Sequence, residues 1–243
     1  MVQDMDKSRV GWGTTREHAF VVSTYIAWFR QTENETYRQC ALDMLQQSAA
    51  VEDMCSAWAT YLFFAYEQTG EERWRDMIEQ LVSQSMSEPV KLADAYDGLP
   101  FRMAYEMKLN RMAWVSKVVS AFKELHERLF DKAAGVHCAG EGMDYSAEDT
   151  AWFMLALVDT IELCDQQLYE HWRALVDIYR VTLRGVLKQG VADEAKLKIA
   201  TSIYKAVDLG IIDPERYLPA ALEMDAQQMY VAPTLKGDET DED

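Results

Sequence analysis

The sequence predicts an all-α protein, and three properties of the chain support this prediction. Only 11 glycines and 5 prolines occur in 243 residues, while Ala, Leu, Met, Glu and Gln, which favour helices over strands, are abundant. Apolar residues recur at helical spacing along nearly the whole chain. The hydrophobic fraction of 49% is enough for a substantial core. We therefore expect a single helical domain over residues 1–230.

The net charge of the chain argues against two classes of binding partner. The formal net charge is −17, from 41 acidic and 24 basic residues, which argues against nucleic acid and against an anionic membrane surface. No apolar run approaches the roughly 20 residues that span a bilayer, and the start MVQDMDKSRV lacks the features of a secretory signal. We expect a cytoplasmic protein. The acidic segment 231–243 is expected to be a disordered tail.

Interruptions of the helical pattern divide the chain into about ten predicted helices. They span residues 16–31, 35–47, 54–69, 71–86, 91–109, 112–130, 147–164, 167–188, 194–209 and 214–229. Most connections are short, as in antiparallel helical hairpins. The exception is the glycine-bearing loop AAGVHCAGEGMDYS at 133–146, whose length is typical of functional loops.

The first four helices contain an internal repeat. The segment FRQTENETYRQ (29–39) aligns without gaps on YEQTGEERWRD (66–76), 37 residues further on, and weaker echoes occur at 163–172 and 209–218. Each strong copy marks the end of one helix, a tight turn and the start of the next. A period of this size indicates that a helical hairpin is reiterated.

The fifth predicted helix contains unfavourable residues. Asp97-Gly98 and Pro100 interrupt its pattern; the glycine costs about 1 kcal/mol relative to alanine, and proline lacks an amide hydrogen. Such a feature is usually kept for a turn or for function. Two roles therefore stay open for Asp97, a structural residue of the first turn or a catalytic one.

A hairpin repeat fits either an open solenoid or a closed α/α toroid. The first helices of the pairs, such as WATYLFFAY and AWFMLALV, are more apolar than partners such as EERWRDMIEQL. This contrast favours the α/α toroid, in which the first helix of each pair lies inside. The inner helices then point the same way, and their N-terminal ends gather on one face around a central cavity.

Carboxylates and aromatic rings are predicted to meet on that face. The candidates are Trp12, His18, Asp53, Trp58, Tyr96, Asp97 and Trp152. Aromatic planes stack on sugar rings, and paired carboxyl groups can divide acid and base roles, so we predict a carbohydrate site. The alternatives are that Asp53 is a helix cap and that the two inner tryptophans, Trp58 and Trp152, belong to the core.

No metal or cofactor is expected. The cysteines, at positions 40, 55, 138 and 164, lie far apart without a Cys/His ligand spacing, and His18 and His137 lack a paired ligand.

Several segments then resemble one family. AYDGLPFRMAYE resembles the D-G-L-x-M-x-x-P-F segment of the unsaturated glucuronyl and rhamnogalacturonyl hydrolases, glycoside hydrolase families 88 and 105, which are six-hairpin α/α toroids. VEDMCSAWATYLFFAYEQTGEERW, LFDKAAGVHCAG, EDTAWFMLALVDTIE and ATSIYKAVDLGIID resemble further family segments in the same order, over most of residues 12–225.

The resemblance implies a glycoside hydrolase that hydrates the Δ4,5 double bond of a terminal unsaturated uronyl residue on an oligosaccharide. It implies that Asp97 is the general acid and base and Asp53 the second aspartate of the pocket. His137, Trp152 and Tyr96 would line that pocket. The alternative is a non-catalytic relative that binds a glycan or a protein partner there. An epimerase of the same fold would need paired histidines, against which the scattered histidines argue.

The chain departs from the family pattern in three ways. Glu148 stands where the family has an arginine four residues before Trp152, and Arg102 is the residue we expect to replace that cation. About four residues are missing after Asp97-Gly98-Leu99. Five hairpins are countable rather than six, and an incomplete ring of five predicts either a homodimer that covers its seam or a tilt of neighbouring helices.

Overall fold

A computed structural model describes residues 15–48, 56–83, 88–164 and 168–229. Within these ranges the helices are α1 (Thr15–Thr32), α2 (Glu35–Ser48), α3 (Leu62–Thr69), α4 (Glu72–Ser83), α5 (Asp94–Lys108), α6 (Val115–Leu129), α7 (Ala147–Leu163), α8 (Tyr169–Gln189), α9 (Asp193–Asp208) and α10 (Pro214–Met229). Each predicted helix has its counterpart, so the all-α prediction is confirmed.

The third predicted helix differs most from the expectation. A 3₁₀ helix, Ser56–Tyr61, leads into the eight residues of α3. Helix α3 ends at Gly70, whose φ of 67° is left-handed and whose N–H donates to the carbonyl of Tyr66. Glycine adopts this conformation at little cost, which explains why the helix ends here, in the second copy of the repeat (66–76).

Helix α5 runs without a break through Gly98 and Pro100. Both residues are buried, as are the neighbouring Leu99 and Phe101. No turn separates two helical halves; the local cost of the glycine and the proline is offset by packing of this apolar segment in the core. Asp97 therefore lies in the first turn of a continuous helix.

The long loop contains a small β-hairpin that the sequence pattern did not predict. Strands β1 (Phe130–Asp131) and β2 (Val136–His137) pair antiparallel, and two-residue strands are too short to show an alternating pattern. Helix α8 approaches this hairpin closely, since a Cβ placed on Gly185 would lie 2.3 Å from the carbonyl oxygen of Gly135. A side chain at position 185 would therefore collide with the hairpin backbone.

The helices form an inner and an outer set. The inner elements pack in succession: α1 on the 3₁₀ helix, the 3₁₀ helix on α5, α5 on α7 and α7 on α9. The outer helices α2, α4, α8 and α10 each pack on the inner helix of their own hairpin. The outer helix α6 packs on α5 and also on α8. Helix α7 is buried from Thr150 to Ile161. The predicted inside position of the first helix of each pair is confirmed.

Five helical hairpins are present in the described ranges, as counted from the sequence. Side chains of the first hairpin reach the fourth: the Phe20 ring lies 6.3 Å from that of Trp152, and Arg30 pairs with Glu162 at 3.0 Å. The homodimer suggested for the seam stays a prediction. The tail 231–243 lies outside the described residues.

In the part of the chain that the structure describes, none of the helices combines the length and the apolar character needed to cross a membrane.

Candidate functional site

The N-terminal ends of α1 and α5 bring together one arginine and two aspartates. Arg16 donates from Nε to Oδ1 of Asp97 at 2.7 Å and from Nη2 to Oδ2 of the same residue at 2.6 Å. Its Nη2 also lies 3.1 Å from Oδ1 of Asp94. The side chains are 26 to 33% exposed. This Arg16 cluster, as we name these three residues, therefore meets solvent at the face where the sequence placed the site.

The two aspartates of the Arg16 cluster have different roles. Oδ2 of Asp94 accepts hydrogen bonds from the backbone N–H groups of Val90 and Lys91 at 3.2 and 2.8 Å. Asp94 thus holds the segment before α5 in place, as carboxylates do at helix N-termini. Among the described residues, Asp97 accepts side-chain hydrogen bonds from Arg16, one at each of its two oxygens, and it holds no backbone group of the segment before α5.

Sequence reasoning did not identify Arg16. A signal was present, because a cation in the first turn of a helix opposes the helix dipole and needs a compensating partner. The partner, however, is 81 positions away in the chain, and no local pattern indicates it.

A second cation reaches the same face from α9. Lys198 Nζ lies 2.9 Å from Oε1 of Glu148, 3.1 Å from the carbonyl of Glu194 and 4.8 Å from the centroid of the Trp152 ring. Where the family pattern has an arginine, this chain thus has an acid that is paired with a lysine. The other oxygen of Glu148, Oε2, is buried and has no hydrogen-bond partner among the described residues.

Three of the aromatic residues predicted for the site lie in the core. Trp58, Tyr96 and Trp152 are each at most 3% exposed, and the rings of Tyr96 and Trp152 lie 5.0 Å apart. They form a packed floor beneath the face, so their placement resembles the core alternative that the sequence left open.

A buried polar network lies among the inner helices. The hydroxyl groups of Tyr61 and Tyr96 are 3.1 Å apart, Tyr61 also donates to Oδ2 of Asp159 at 3.3 Å, and Lys205 Nζ lies 2.5 Å from Oδ1 of Asp159. Burial is the main cause that raises the pKa of both tyrosines, and the negative charge of Asp159 raises both further. Both hydroxyl groups therefore stay protonated and serve as hydrogen-bond donors.

His137 lies on β2 and is 1% exposed. Its Nε2 is 2.9 Å from Nδ1 of His126, and its ring lies 5.0 Å from Phe130 and 5.3 Å from Phe153. Burial, and to a smaller degree His126, lowers the pKa of His137 to about 3. The residue is neutral near pH 7 and packs the β-hairpin against α6 and α7.

The low pKa of His137 predicts a pH dependence of stability. In the unfolded chain His137 takes up a proton near pH 6.5, whereas in the folded chain it does so only near pH 3. Because the unfolded state then binds more protons, the free energy of unfolding falls as the pH drops below 6.5. Between pH 6.5 and pH 5 His137 alone accounts for a loss of about 1–2 kcal/mol. In urea unfolding at both pH values the loss should be smaller by about this amount for His137→Phe than for the wild type, whereas His18 and His126, whose pKa values burial also lowers, contribute in both proteins. Equal losses in both proteins would contradict this.

Of the remaining predicted residues, His18 lies beside α2, whereas Arg102 shares a groove with Asp97. His18 is half-buried beside Ser48, whose hydroxyl is 3.3 Å from its Nδ1, and burial lowers the pKa of His18. Arg102 lines a groove of about 1530 Å³ between α4, α5 and α6, together with Asp94 and Asp97. Trp12 and Asp53 lie outside the described residues, so their roles stay predictions. Among the described residues, no group of three or more His, Cys, Asp or Glu side chains could hold a metal ion.

No protein-family model and no curated protein matches this sequence. Solved structures do match. A glycoside hydrolase of family 105 from C. acetobutylicum shares 16% identity at a TM-score of 0.76, over 89% of this chain and 77% of that one. A glycosyl hydrolase of family 88 from Bacteroides vulgatus shares 10% identity at a TM-score of 0.73, over 90% and 79%.

A polysaccharide lyase also matches, with 12% identity and a TM-score of 0.70 over 90% of this chain and 77% of that one. Identities this low show the fold and not the activity. The chain thus has an α/α toroid fold, the one seen in solved glycoside hydrolases of families 105 and 88.

Proposed function

We propose that the protein is a glycoside hydrolase that binds an oligosaccharide at the N-terminal face of its inner helices and hydrates a terminal Δ4,5-unsaturated uronyl residue. Two findings support this. The solved structures with the same fold include glycoside hydrolases of families 105 and 88. The Arg16 cluster joins a solvent-accessible aspartate to a cation on that face.

The observation that carries the proposal is the two-pronged contact between Arg16 and Asp97. A guanidinium that grips one carboxylate with two parallel hydrogen bonds has the geometry to grip another. We infer that the uronate carboxylate of the substrate takes over the Nε and Nη2 donors of Arg16. Asp97 would then turn from the arginine toward the double bond.

The proposed reaction needs one carboxyl group that first gives and then regains a proton. Protonated Asp97 donates its proton to C4 as the π electrons of the C4=C5 bond form the new C–H bond. Water adds to C5 and returns a proton to the Asp97 carboxylate. The resulting hemiketal opens and releases the neighbouring sugar, with water as the only reagent consumed. Lys198, beside Glu148 and Trp152, offers a second cation toward the same face.

A specific observation favours a second candidate, a non-catalytic relative that binds a glycan or a protein partner. Trp58, Tyr96 and Trp152 are at most 3% exposed, and these buried rings present no stacking platform for a sugar. Asp97 is engaged by Arg16 through both of its oxygens. Such a protein would retain the face for binding and have lost the chemistry.

The test follows the absorbance of the conjugated double bond with unsaturated glucuronyl and rhamnogalacturonyl disaccharides. The wild type should remove this absorbance, and Arg16→Gln should raise KM about 10- to 100-fold, because a charged hydrogen-bond donor to the substrate is lost. Arg30→Gln, which removes an exposed cation from the other end of α1, is the matched control and should leave KM unchanged. If the wild type leaves every substrate intact but still binds them, the second candidate is correct.

A further inference from the structure

A second pocket, of about 530 Å³, lies between α8 and the turn that joins α9 to α10. Arg180 and Arg184 of α8 and Arg216 of α10 line it, together with Tyr217 and with Asp213, which is the one acidic residue of the lining. Three cations against one carboxylate make this a positive pocket in a chain whose net charge is −17. Such a local reversal of charge calls for a physical explanation.

Most other arginines of the described chain form an ion pair with a carboxylate, and the three arginines of this pocket do not. Several arginines outside this pocket form ion pairs with a carboxylate, namely Arg16, Arg30, Arg38, Arg73, Arg75 and Arg173. In the described part of the chain, no carboxylate lies within 4.0 Å of the guanidinium nitrogens of Arg180, Arg184 or Arg216. Acidic residues outnumber basic ones by 41 to 24, so three neighbouring arginines without a carboxylate partner among the described residues favour an anion site at this pocket.

The arginines are held in positions that leave donors facing the pocket. Arg180 donates from Nε to the carbonyl of Ile211 at 2.8 Å, which leaves its two terminal nitrogens for a ligand. Arg184 follows one helical turn later on the same face of α8. The guanidinium of Arg216 lies 5.2 Å from the centroid of the Tyr217 ring. Asp213 is engaged, since its Oδ1 accepts from the backbone N–H of Glu215 at 3.0 Å.

We propose that this pocket binds the phosphate group of a small molecule, either inorganic phosphate or a phosphate ester. Planar guanidinium groups match the geometry of phosphate oxygens through paired hydrogen bonds. The first turn of α10 also lines the pocket, but Asp213 already accepts from its Glu215 N–H, so the three arginines are the groups that would hold the phosphate. The volume of the pocket lies within the range of small-molecule sites, with room for more than the phosphate itself.

This site is separate from the Arg16 cluster. It adjoins the C-terminal end of α9, whereas the candidate site lies at the N-terminal ends of the inner helices. A helix of 16 residues is about 24 Å long, so a ligand in one site would not touch the other. The inference therefore does not depend on the proposed hydrolase function.

The test is a calorimetric titration of the full chain with inorganic phosphate and, separately, with glucose 6-phosphate, at constant ionic strength. Saturable binding is expected, and Arg184→Gln and Arg216→Gln should each weaken it at least tenfold. Arg173→Gln is the matched control, since it removes one exposed charge from the same helix and should change the affinity less than twofold. Thermal unfolding of each variant checks that the fold is retained.

The titrations distinguish the two possible ligands, and two of their outcomes would contradict the proposal. Tighter binding of glucose 6-phosphate than of inorganic phosphate would support a phosphate ester, and equal binding would support phosphate alone. Absence of saturable binding of both probes would overturn the proposal. An equal loss of affinity in Arg173→Gln and Arg184→Gln would overturn it as well, because binding would then follow net charge and not the pocket.

Discussion

Replacing Lys205 by methionine is expected to lower the free energy of unfolding by about 3–5 kcal/mol, because it leaves an uncompensated charge in the core. Asp159, its partner at 2.5 Å, is only 7% exposed at its side chain. Desolvation lowers the pKa of Lys205, but Asp159 and then Glu162 outweigh it, and the net effect is a raised pKa. The lysine therefore stays charged and neutralises the buried carboxylate.

The measurement is urea unfolding of the wild type, Lys205→Met and the double variant Asp159→Leu/Lys205→Met. The double variant should recover most of the lost stability, since it removes both charges and fills the space with apolar atoms. Arg75→Gln, which breaks the exposed pair with Glu79, should cost less than about 1 kcal/mol. A cost for Lys205→Met as small as that of this control would show that the pair contributes nothing to the core.

Replacing Asp97 by asparagine is expected to reduce kcat on an unsaturated disaccharide about 10²- to 10⁴-fold, the range for loss of a general acid or base. Asparagine keeps the size and hydrogen-bonding ability of the side chain, but its amide cannot donate a proton to an alkene carbon or accept one from water. The backbone of α5 should be unaffected, because within the described residues the Asp97 carboxylate accepts from the side chain of Arg16 and from no backbone group.

The matched control is Asp94→Asn, one helical turn earlier on α5. Asp94 shares Arg16 with Asp97 but also holds the backbone N–H groups of Val90 and Lys91. We expect Asp94→Asn to lower stability by about 1 kcal/mol and to change kcat less than tenfold. Should Asp97→Asn retain more than a tenth of the wild-type kcat, Asp97 is not the acid, and another carboxyl group must be sought on this face.

Local sequence patterns were sufficient to predict the helices and their pairing. Apolar spacing in segments such as AWFMLALV reports which faces are buried, and burial of those faces is what stabilises the helices. The β-hairpin at Phe130–Asp131 and Val136–His137 was not predicted, since two-residue strands are too short to show an alternating pattern, and only the folded chain brings the hairpin against α8 at Gly185.

The partners of the charged residues could not be predicted in the same way. Asp97 was identified because glycine and proline follow it, yet the cation expected for the site was Arg102, while the structure pairs Asp97 with Arg16 and Glu148 with Lys198. Electrostatic contacts depend on distance in space, and helix periodicity carries no information about which distant turn lies opposite.

By itself the sequence determined an acidic chain of reiterated helical hairpins, with the apolar helix of each pair inside. The tertiary structure alone decided that residues 81 positions apart form the Arg16 cluster, that Trp58, Tyr96 and Trp152 are packed in the core, and that three arginines meet at a second pocket. The physical reason is that hydrophobic burial acts through local periodicity, whereas each charge is satisfied by whichever group the folded chain brings within a few ångströms.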